Sequence, residues 1–281
     1  MRRLTFENSR GDSIEFYLSP FFINSLTGIG EVTTDLQSQK SPFQDGDTYI
    51  DTLLQPRFIN LEGEILESSV SENKDRRREL TRICNPKLGL GKITFEMDGE
   101  VKEINGTLDG GVFFPERGEN HYQNFMITWK CPNPYWKSLN ITEEPTFEPL
   151  FQFPFEGTFE MGMQRDKRII INDGDAPAPV LIEFYGPAVS PIITNNTTGE
   201  YIKVNKTLAE DEFMRVDTTP GNKSVEFVAP DGTVKNVFNW IDLGSTFFQL
   251  SIGENEIEYS ADSDIQGAIV NISYNKLYIG I

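Results

Sequence analysis

Nucleophilic or histidine-based chemistry in this chain would have to be built around a single imidazole, His121, in the polar run Arg117-Gly118-Glu119-Asn120-His121-Tyr122. A hydrolytic triad needs its base held between a nucleophile and an orienting group, and a lone loop histidine reads first as an ordinary surface residue. Cys84 and Cys131 are far apart in sequence and form neither a zinc-type ligand pair nor a Cys-X-X-Cys redox pair. Free thiols of a reducing compartment are the expectation. Asp45-Gly46-Asp47, Asp173-Gly174-Asp175 and Asp262-Ser263-Asp264 could each hold a hard cation, but none continues into a full calcium loop, so they read as turns. The 43 acidic residues leave a glycosidase pair open, because such a pair is defined by its separation in space. Gly28-Ile29-Gly30 lacks the third glycine and the helix of a dinucleotide site, and no glycine-rich loop ends in Gly-Lys-Ser/Thr. The expectation is a protein that is not an enzyme and carries no cofactor and no metal.

The elements that would position any site are mostly strands. Leu4 to Asn8 and Ser13 to Ser19 flank Arg10-Gly11-Asp12, which closes a hairpin; the same tripeptide spells an integrin-type adhesion motif, yet Gly beside Asp is ordinary turn chemistry. Apolar residues alternate with polar ones from Phe58 to Ile65, and Phe125, Ile127 and Trp129 share a side. Lys92 to Met97 and Val101 to Leu108 form a hairpin around Asp98-Gly99. One segment reads as a helix, Glu72 to Cys84, with Ser71 as its cap, Asn85-Pro86 as its stop and Leu80, Ile83 and Cys84 facing inward. After the prolines of Cys131-Pro132-Asn133-Pro134-Tyr135-Trp136 the pattern is all strand: Ile169–Asn172, Val180–Tyr185, Ser190–Thr194, Glu200–Leu208, Glu212–Thr218, Lys223–Val228, Thr233–Trp240, Phe247–Ile252, Glu256–Ser260 and Ala268–Tyr274. Short strands at near-regular spacing with no helix between them predict a β-sandwich or jelly roll. The phenylalanine-rich run Pro145 to Gln164 has no evident place in that pattern.

Composition limits the partners. A chain of 281 residues with 38% hydrophobic content fits two ordinary cores, and a net charge of −18 opposes wrapping of nucleic acid, which needs clustered Lys and Arg. The start, Met1 to Glu7, carries two basic residues and then turns polar, without the apolar core of a secretory signal, and no run is long enough to span a membrane.

Taken in order, Cys131-Pro132-Asn133-Pro134-Tyr135-Trp136, Asn172-Asp173-Gly174-Asp175-Ala176-Pro177, Thr198-Gly199-Glu200-Tyr201 and Gly253-Glu254-Asn255-Glu256 resemble the distal tail protein family of long-tailed phages that infect Gram-positive bacteria. The resemblance implies a mainly β chain of two β-sandwich-type domains. An N-terminal ring-forming domain, 1–136, would have a single α-helix and a hairpin arm; a galectin-like C-terminal domain, 137–281, would have a last strand free to return to the first. It implies a virion structural protein of the tail tip, assembled in the bacterial host cytoplasm. Six copies would form a hub joining the tail tube protein to the tail-associated fibre or lysin protein, with a receptor-binding protein as a further candidate partner, and DNA would pass through the lumen without specific binding.

Two surfaces stay open to more than one reading. Arg76, Arg77 and Arg78 on the predicted helix belong either to a solvated face with helical ion pairs or to a basic strip that meets an acidic patch of a neighbouring subunit. Tyr201, Trp240 and Tyr259 are either core aromatics or the platform of a carbohydrate-binding module that recognises host cell-wall glycans, the alternative function for the second half.

Overall fold

The computed structural model describes residues 2–115, 122–143, 166–262 and 269–281; His121, Ser263-Asp264 and the run from Pro145 to Gln164 lie outside them. The chain divides into two compact units, Met1–Leu139 with Tyr278–Ile281, and Asn140–Leu277.

In the first unit Arg2–Glu7 (β1) and Ser13–Phe16 (β2) form the expected hairpin, with Leu4 opposite Phe16 and Glu7 opposite Ser13. Asn8 builds its turn by accepting from the Arg10 and Asp12 amides at 2.9 and 3.2 Å. There follow Phe21–Thr27 (β3), Thr34–Gln39 (β4), Thr48–Leu54 (β5), Arg57–Leu66 (β6), the helix Val70–Ile83 (α1), Gly91–Met97 (β7), Glu100–Leu108 (β8), Tyr122–Cys131 (β9) and Trp136–Ser138 (β10). Strand neighbours run β2-β1-β7-β8-β9-β6-β3, and β10 adds to β8. The β7–β8 turn sits on Asp98 and Gly99, both left-handed with φ of 53° and 91°, the backbone that an Asp-Gly hairpin favours. Alternation buries Ile59, Leu61 and Ile65 of β6 and Phe125, Ile127 and Trp129 of β9. Phe16 of β2 meets Phe125 and Trp129 with ring centroids 5.8 and 6.1 Å apart, although β2 and β9 are far apart in the strand order. The sheet therefore folds over on itself and its two halves share one core. β4 and β5 pair only with each other, and β4 is exposed at every residue; this is the hairpin arm.

The second unit is a two-sheet sandwich. Its strands are Ile141–Glu143 (β11), Asp166–Asn172 (β12), Ala178–Tyr185 (β13), Ala188–Val189 (β14), Ile192–Asn195 (β15), Glu200–Lys203 (β16), Thr207–Leu208 (β17), Phe213–Asp217 (β18), Ser224–Val228 (β19), Val234–Asn236 (β20), Gln249–Leu250 (β21), Gly253–Ser260 (β22) and Ile269–Tyr274 (β23). One sheet runs β11-β23-β13-β18-β19-β20 and the other β12-β22-β15-β16. Val180, Ile182 and Phe184 of the first share a core with Ile193, Ile257 and Tyr259 of the second, and the Phe184 and Tyr259 rings lie 6.0 Å apart across it. Val270, Ile272 and Tyr274 are buried while Asn271 and Ser273 are not, the single inward face that period-two alternation predicts.

Several boundaries differ from the sequence reading, and the expected Phe247–Ile252 run is reduced to Gln249–Leu250. The Glu200–Leu208 run is two strands, β16 and β17. The Thr233–Trp240 run stops at Asn236, whose side chain accepts from the Phe238 amide at 3.2 Å and turns the chain into a 3-10 helix, Phe238–Trp240. β22 begins at Gly253, three residues before the expected start at Glu256. Asn255 is fully buried; its amide donates to Ser251 O at 2.8 Å and its oxygen accepts from Ser251 N at 2.9 Å. Asn172, paired opposite Gly253, does the same for its own turn, donating to Ala176 O and Leu250 O at 3.0 Å each and accepting from Gly174 N at 3.1 Å. Both asparagines hold the backbone where strand meets turn.

The first unit is closed by Arg57, only 2% exposed at the start of β6. Its guanidinium donates to Pro134 O at 2.8 Å, to Gly28 O at 2.7 Å, to Ile29 O at 3.1 Å, to Glu31 O at 2.9 Å and to Ile279 O. Gly28 can present its carbonyl this way because its φ is +85°, and a Cβ there would lie 1.8 Å from Phe58 O. Gly28-Ile29-Gly30 is thus a carbonyl cup for an arginine. Burial pulls the Arg57 pKa down, and Cys131 and Glu31 oppose that pull, but a guanidinium stays charged throughout the working range. Arg57→Ala should destabilise the first unit by about 3–5 kcal/mol, because carbonyls that now share a charged donor become unsatisfied. Removal of Tyr278–Ile281 should act on the same unit and be less than additive with Arg57→Ala. Urea unfolding followed by tryptophan fluorescence checks both, and a truncated chain whose first-unit transition is unmoved would contradict the account.

Candidate functional site

A cluster of cationic side chains, Lys74, Arg77, Arg78 and Arg82, stands on α1, and the helix forms for local reasons. Ser69, two residues before the serine expected to cap it, accepts from the Glu72 amide at 3.3 Å. Ser68 donates to the Glu72 carboxylate at 2.6 Å, and these bonds to Ser68 and Ser69 hold the Glu72 carboxyl below the usual range. Ser71 lies inside the helix; three serines in four residues, Ser68, Ser69 and Ser71, hid which was the cap. Leu80, Ile83 and Cys84 face the core as expected. Asn8 donates to Ile83 O at 3.2 Å and Ser9 to Leu88 O at 2.7 Å, fixing the helix end to the first hairpin.

The outer face opens into a cavity of about 630 Å³ lined by Lys74, Arg77, Arg78, Thr81, Arg82, Asn85 and Phe114. Lys74, Arg78 and Arg82 repeat at i, i+4 and so stand on one helix face. The Arg77 guanidinium lies 4.6 Å from the centre of the Phe114 ring, a cation–π contact of about 0.5–1 kcal/mol. Arg82 is 3.5 Å from Asp12, whereas among the described residues no carboxylate pairs with Lys74, Arg77 or Arg78. The structure separates Arg76 from its neighbours: it points away to Glu67 and Glu79 at 2.7 and 2.8 Å, and the bond to Glu67 first, then that to Glu79, raises its pKa. The sequence run Arg76-Arg77-Arg78 therefore holds one residue paired with two carboxylates and two that have no carboxylate partner among the described residues. Phe114 and Thr81 were not foreseen as part of the site; Phe114 reaches it from the segment after β8, which no local pattern announces.

Of the three aromatics considered for a platform in the second unit, Tyr259 lies in the core and Tyr201 and Trp240 are half-buried. Tyr259 is 2% exposed and packs on Phe184 in the core, which removes it from any sugar contact. Trp240 packs on Phe227 with centroids 5.4 Å apart, and the Tyr201 hydroxyl donates to Asp242 at 3.3 Å. Among the described residues no group of three His, Cys, Asp or Glu could hold a metal, and Asp173 is paired with Lys276 at 2.7 Å. Cys84 and Cys131 are free and buried, and burial pushes both thiols up to about 12.

Two predictions follow from these placements. Arg76→Ala should cost about 0.5–1 kcal/mol as a half-exposed, doubly paired residue, and Arg77→Ala about as much through loss of its cation–π contact, while Arg78→Ala stays within about 0.5 kcal/mol of the parent; chemical denaturation of the three variants checks the ranking. Both thiols should resist a maleimide at pH 8 in the native chain and react only with unfolding, as mass spectrometry of labelled samples across a urea series would show.

The family model of the phage tail protein RIFT-related domain matches residues 9–131, and that of the siphovirus-type tail component, C-terminal domain, matches residues 173–278. The phage SPP1 Dit protein, described as a paradigm of hub adsorption apparatus in phages that infect Gram-positive bacteria, has a similar fold, with a TM-score of 0.69 at 11% identity over 98% of each chain. A chain of the phage p2 baseplate in its activated conformation is similar with a TM-score of 0.59 at 12% identity, over 97% of this chain and 98% of that one. The same baseplate with strontium gives 0.58 at 11% identity, over the same shares. No curated protein matches.

Proposed function

The chain belongs to the distal tail protein family of siphophages and is a structural component of the phage tail and baseplate, and from that premise we propose that six copies form a ring-shaped hub at the far end of the tail. The observation that carries this reading is the pair of units, each matched by its own tail-protein model, with a first unit that carries an arm whose β4 strand is exposed at every residue. The first unit makes the ring. The second offers a docking platform. The hub joins the tail tube protein to the tail-associated fibre or lysin protein, with a receptor-binding protein as a further client, and its work is mechanical and electrostatic rather than catalytic. It is assembled in the host cytoplasm and resides at the tail tip.

A lumen that passes DNA has to avoid holding phosphates, and each Lys or Arg contact to a phosphate adds salt-dependent affinity. The net charge of −18 supports free passage, and it places a condition on the α1 groove: Lys74, Arg77 and Arg78 should not face the channel. Light scattering of the purified chain with negative-stain images of the same peak tests the proposal. A six-fold particle with a central hole is expected; a strict monomer at every concentration would overturn self-assembly of the ring.

A further inference from the structure

The second unit leaves one long strand edge uncovered. Its sheets end on β11 and β20 and on β12 and β16, and all of these but β12 are protected in ways that edge strands commonly are. β11 and β20 are three residues long. β16 is covered by the loop after the 3-10 helix: the Asp242 and Thr246 amides donate to Lys203 O and Tyr201 O at 2.9 and 2.8 Å, and the Ser245 hydroxyl accepts from the Lys203 amide at 2.9 Å. β12 has seven residues, pairs with β22 in continuous register from Asp166 opposite Tyr259 to Asn172 opposite Gly253, and has no strand on its other side among the described residues. Alternate residues of such a strand turn an N–H and a C=O outward with no partner in the sheet. Its side chains do not guard that edge. Lys167 is drawn to Glu256 and Glu258 at 2.9 and 3.4 Å, and Arg168 donates to Glu143 O and Val270 O at 3.0 Å each. Ile169 and Ile171 stand on the outer face, 64% and 54% exposed. Opposite Ile171 on β22, Glu254 is exposed and has no cationic partner among the described residues.

We infer that β12 takes up an extended segment of another tail protein as an added strand. Backbone hydrogen bonds supply the attachment, β-branched or other apolar side chains at alternate positions pack beside Ile169 and Ile171, and a Lys or Arg at the Asn172 end lays its stem across Ile171 and carries its charge to Glu254. This gives the docking platform of the second unit a surface and a class of client, and it rests on that reading. A second copy's β12 suits the edge less well. Two chains of net charge −18 repel, and identical edges pair about a two-fold axis that neighbours around a ring do not share.

The test mixes the full chain with a synthetic octapeptide that alternates Val with Thr and ends in Lys. The peptide should slow hydrogen exchange about tenfold or more in the fragment covering Asp166–Asn172, read by mass spectrometry. Ile169→Lys/Ile171→Lys, which changes only exposed side chains, should weaken binding about tenfold or more, and Glu254→Lys should turn the preference from a peptide ending in Lys to one ending in Glu. N-methylation separates an added strand from a merely apolar contact: methyl groups on one alternate set of peptide amides should abolish binding, and on the other set leave it within about twofold. Equal loss from both sets, or from neither, overturns the inference, as does unchanged exchange at millimolar peptide. An edge already protected in the parent alone, within a dimer that Ile169→Lys/Ile171→Lys dissolves, gives β12 to a second copy and overturns it as well. Light scattering of the same samples keeps the two readings apart. A ring that forms in parent and variant alike leaves the hub standing when the edge fails, and peptide uptake by a chain that forms no ring sustains the edge and sinks the ring.

Discussion

The first unit depends on a charge in its interior. Arg57 brings three stretches, the Gly28–Glu31 loop, the Pro134 segment and the chain's last residues, onto one guanidinium. Each stretch turns carbonyls inward, and a buried carbonyl without a donor costs about as much as the bond it lacks. A planar group with five donors answers all of them at once, which an ammonium with three cannot do. The Trp136 indole joins the same cup by donating to Ile29 O at 3.0 Å, so the aromatic that closes the proline-rich segment is held by the loop that Arg57 organises. Desolvation of the charge is offset only if all of these contacts form together, and this makes closure of the unit cooperative.

The second unit reaches the same end with neutral groups. Asn172 and Asn255 are wholly buried, on paired strands, and each satisfies the backbone at the point where its strand changes direction. An amide offers both donors and an acceptor and carries no charge to desolvate, so it suits a sandwich interior where Arg57 would not. The motif residues that resemble a family are, in this structure, parts of turn architecture. They identify the chain without marking a site.

Much of this was legible because it is local. Alternation in β6 and β9, the Asp98-Gly99 hairpin and the inward face of α1 each depend on a few neighbouring residues, and period and turn chemistry report them directly. The mainly β class with one helix followed, whereas the arm was expected only from the family resemblance. What depends on distant chain segments was not legible. Nothing near Arg57 says that five carbonyls converge on it, and nothing near Arg76 says that Glu67 takes it out of the basic strip while Arg77 and Arg78 remain. Tyr259 sits in an alternating strand that has a face for the core and a face for solvent, and only the opposite sheet decides which it meets. The cap moved from Ser71 to Ser69 because serines at both positions satisfy the same rule.

Charge then constrains how copies of such a chain could meet. Molecules with a net charge of −18 repel at long range, and that repulsion is screened over about 8 Å at physiological salt. A stable contact between copies needs local opposite charge within that distance, or apolar burial large enough to ignore it. In the described first unit the exposed basic cluster on α1 is a feature of the former kind, and the arm, with Leu36, Phe43, Tyr49 and Ile50 exposed along it, is one of the latter kind. A basic groove left open on the channel side would hold DNA, so a ring that passes DNA freely would have to turn α1 away from its lumen or cover it.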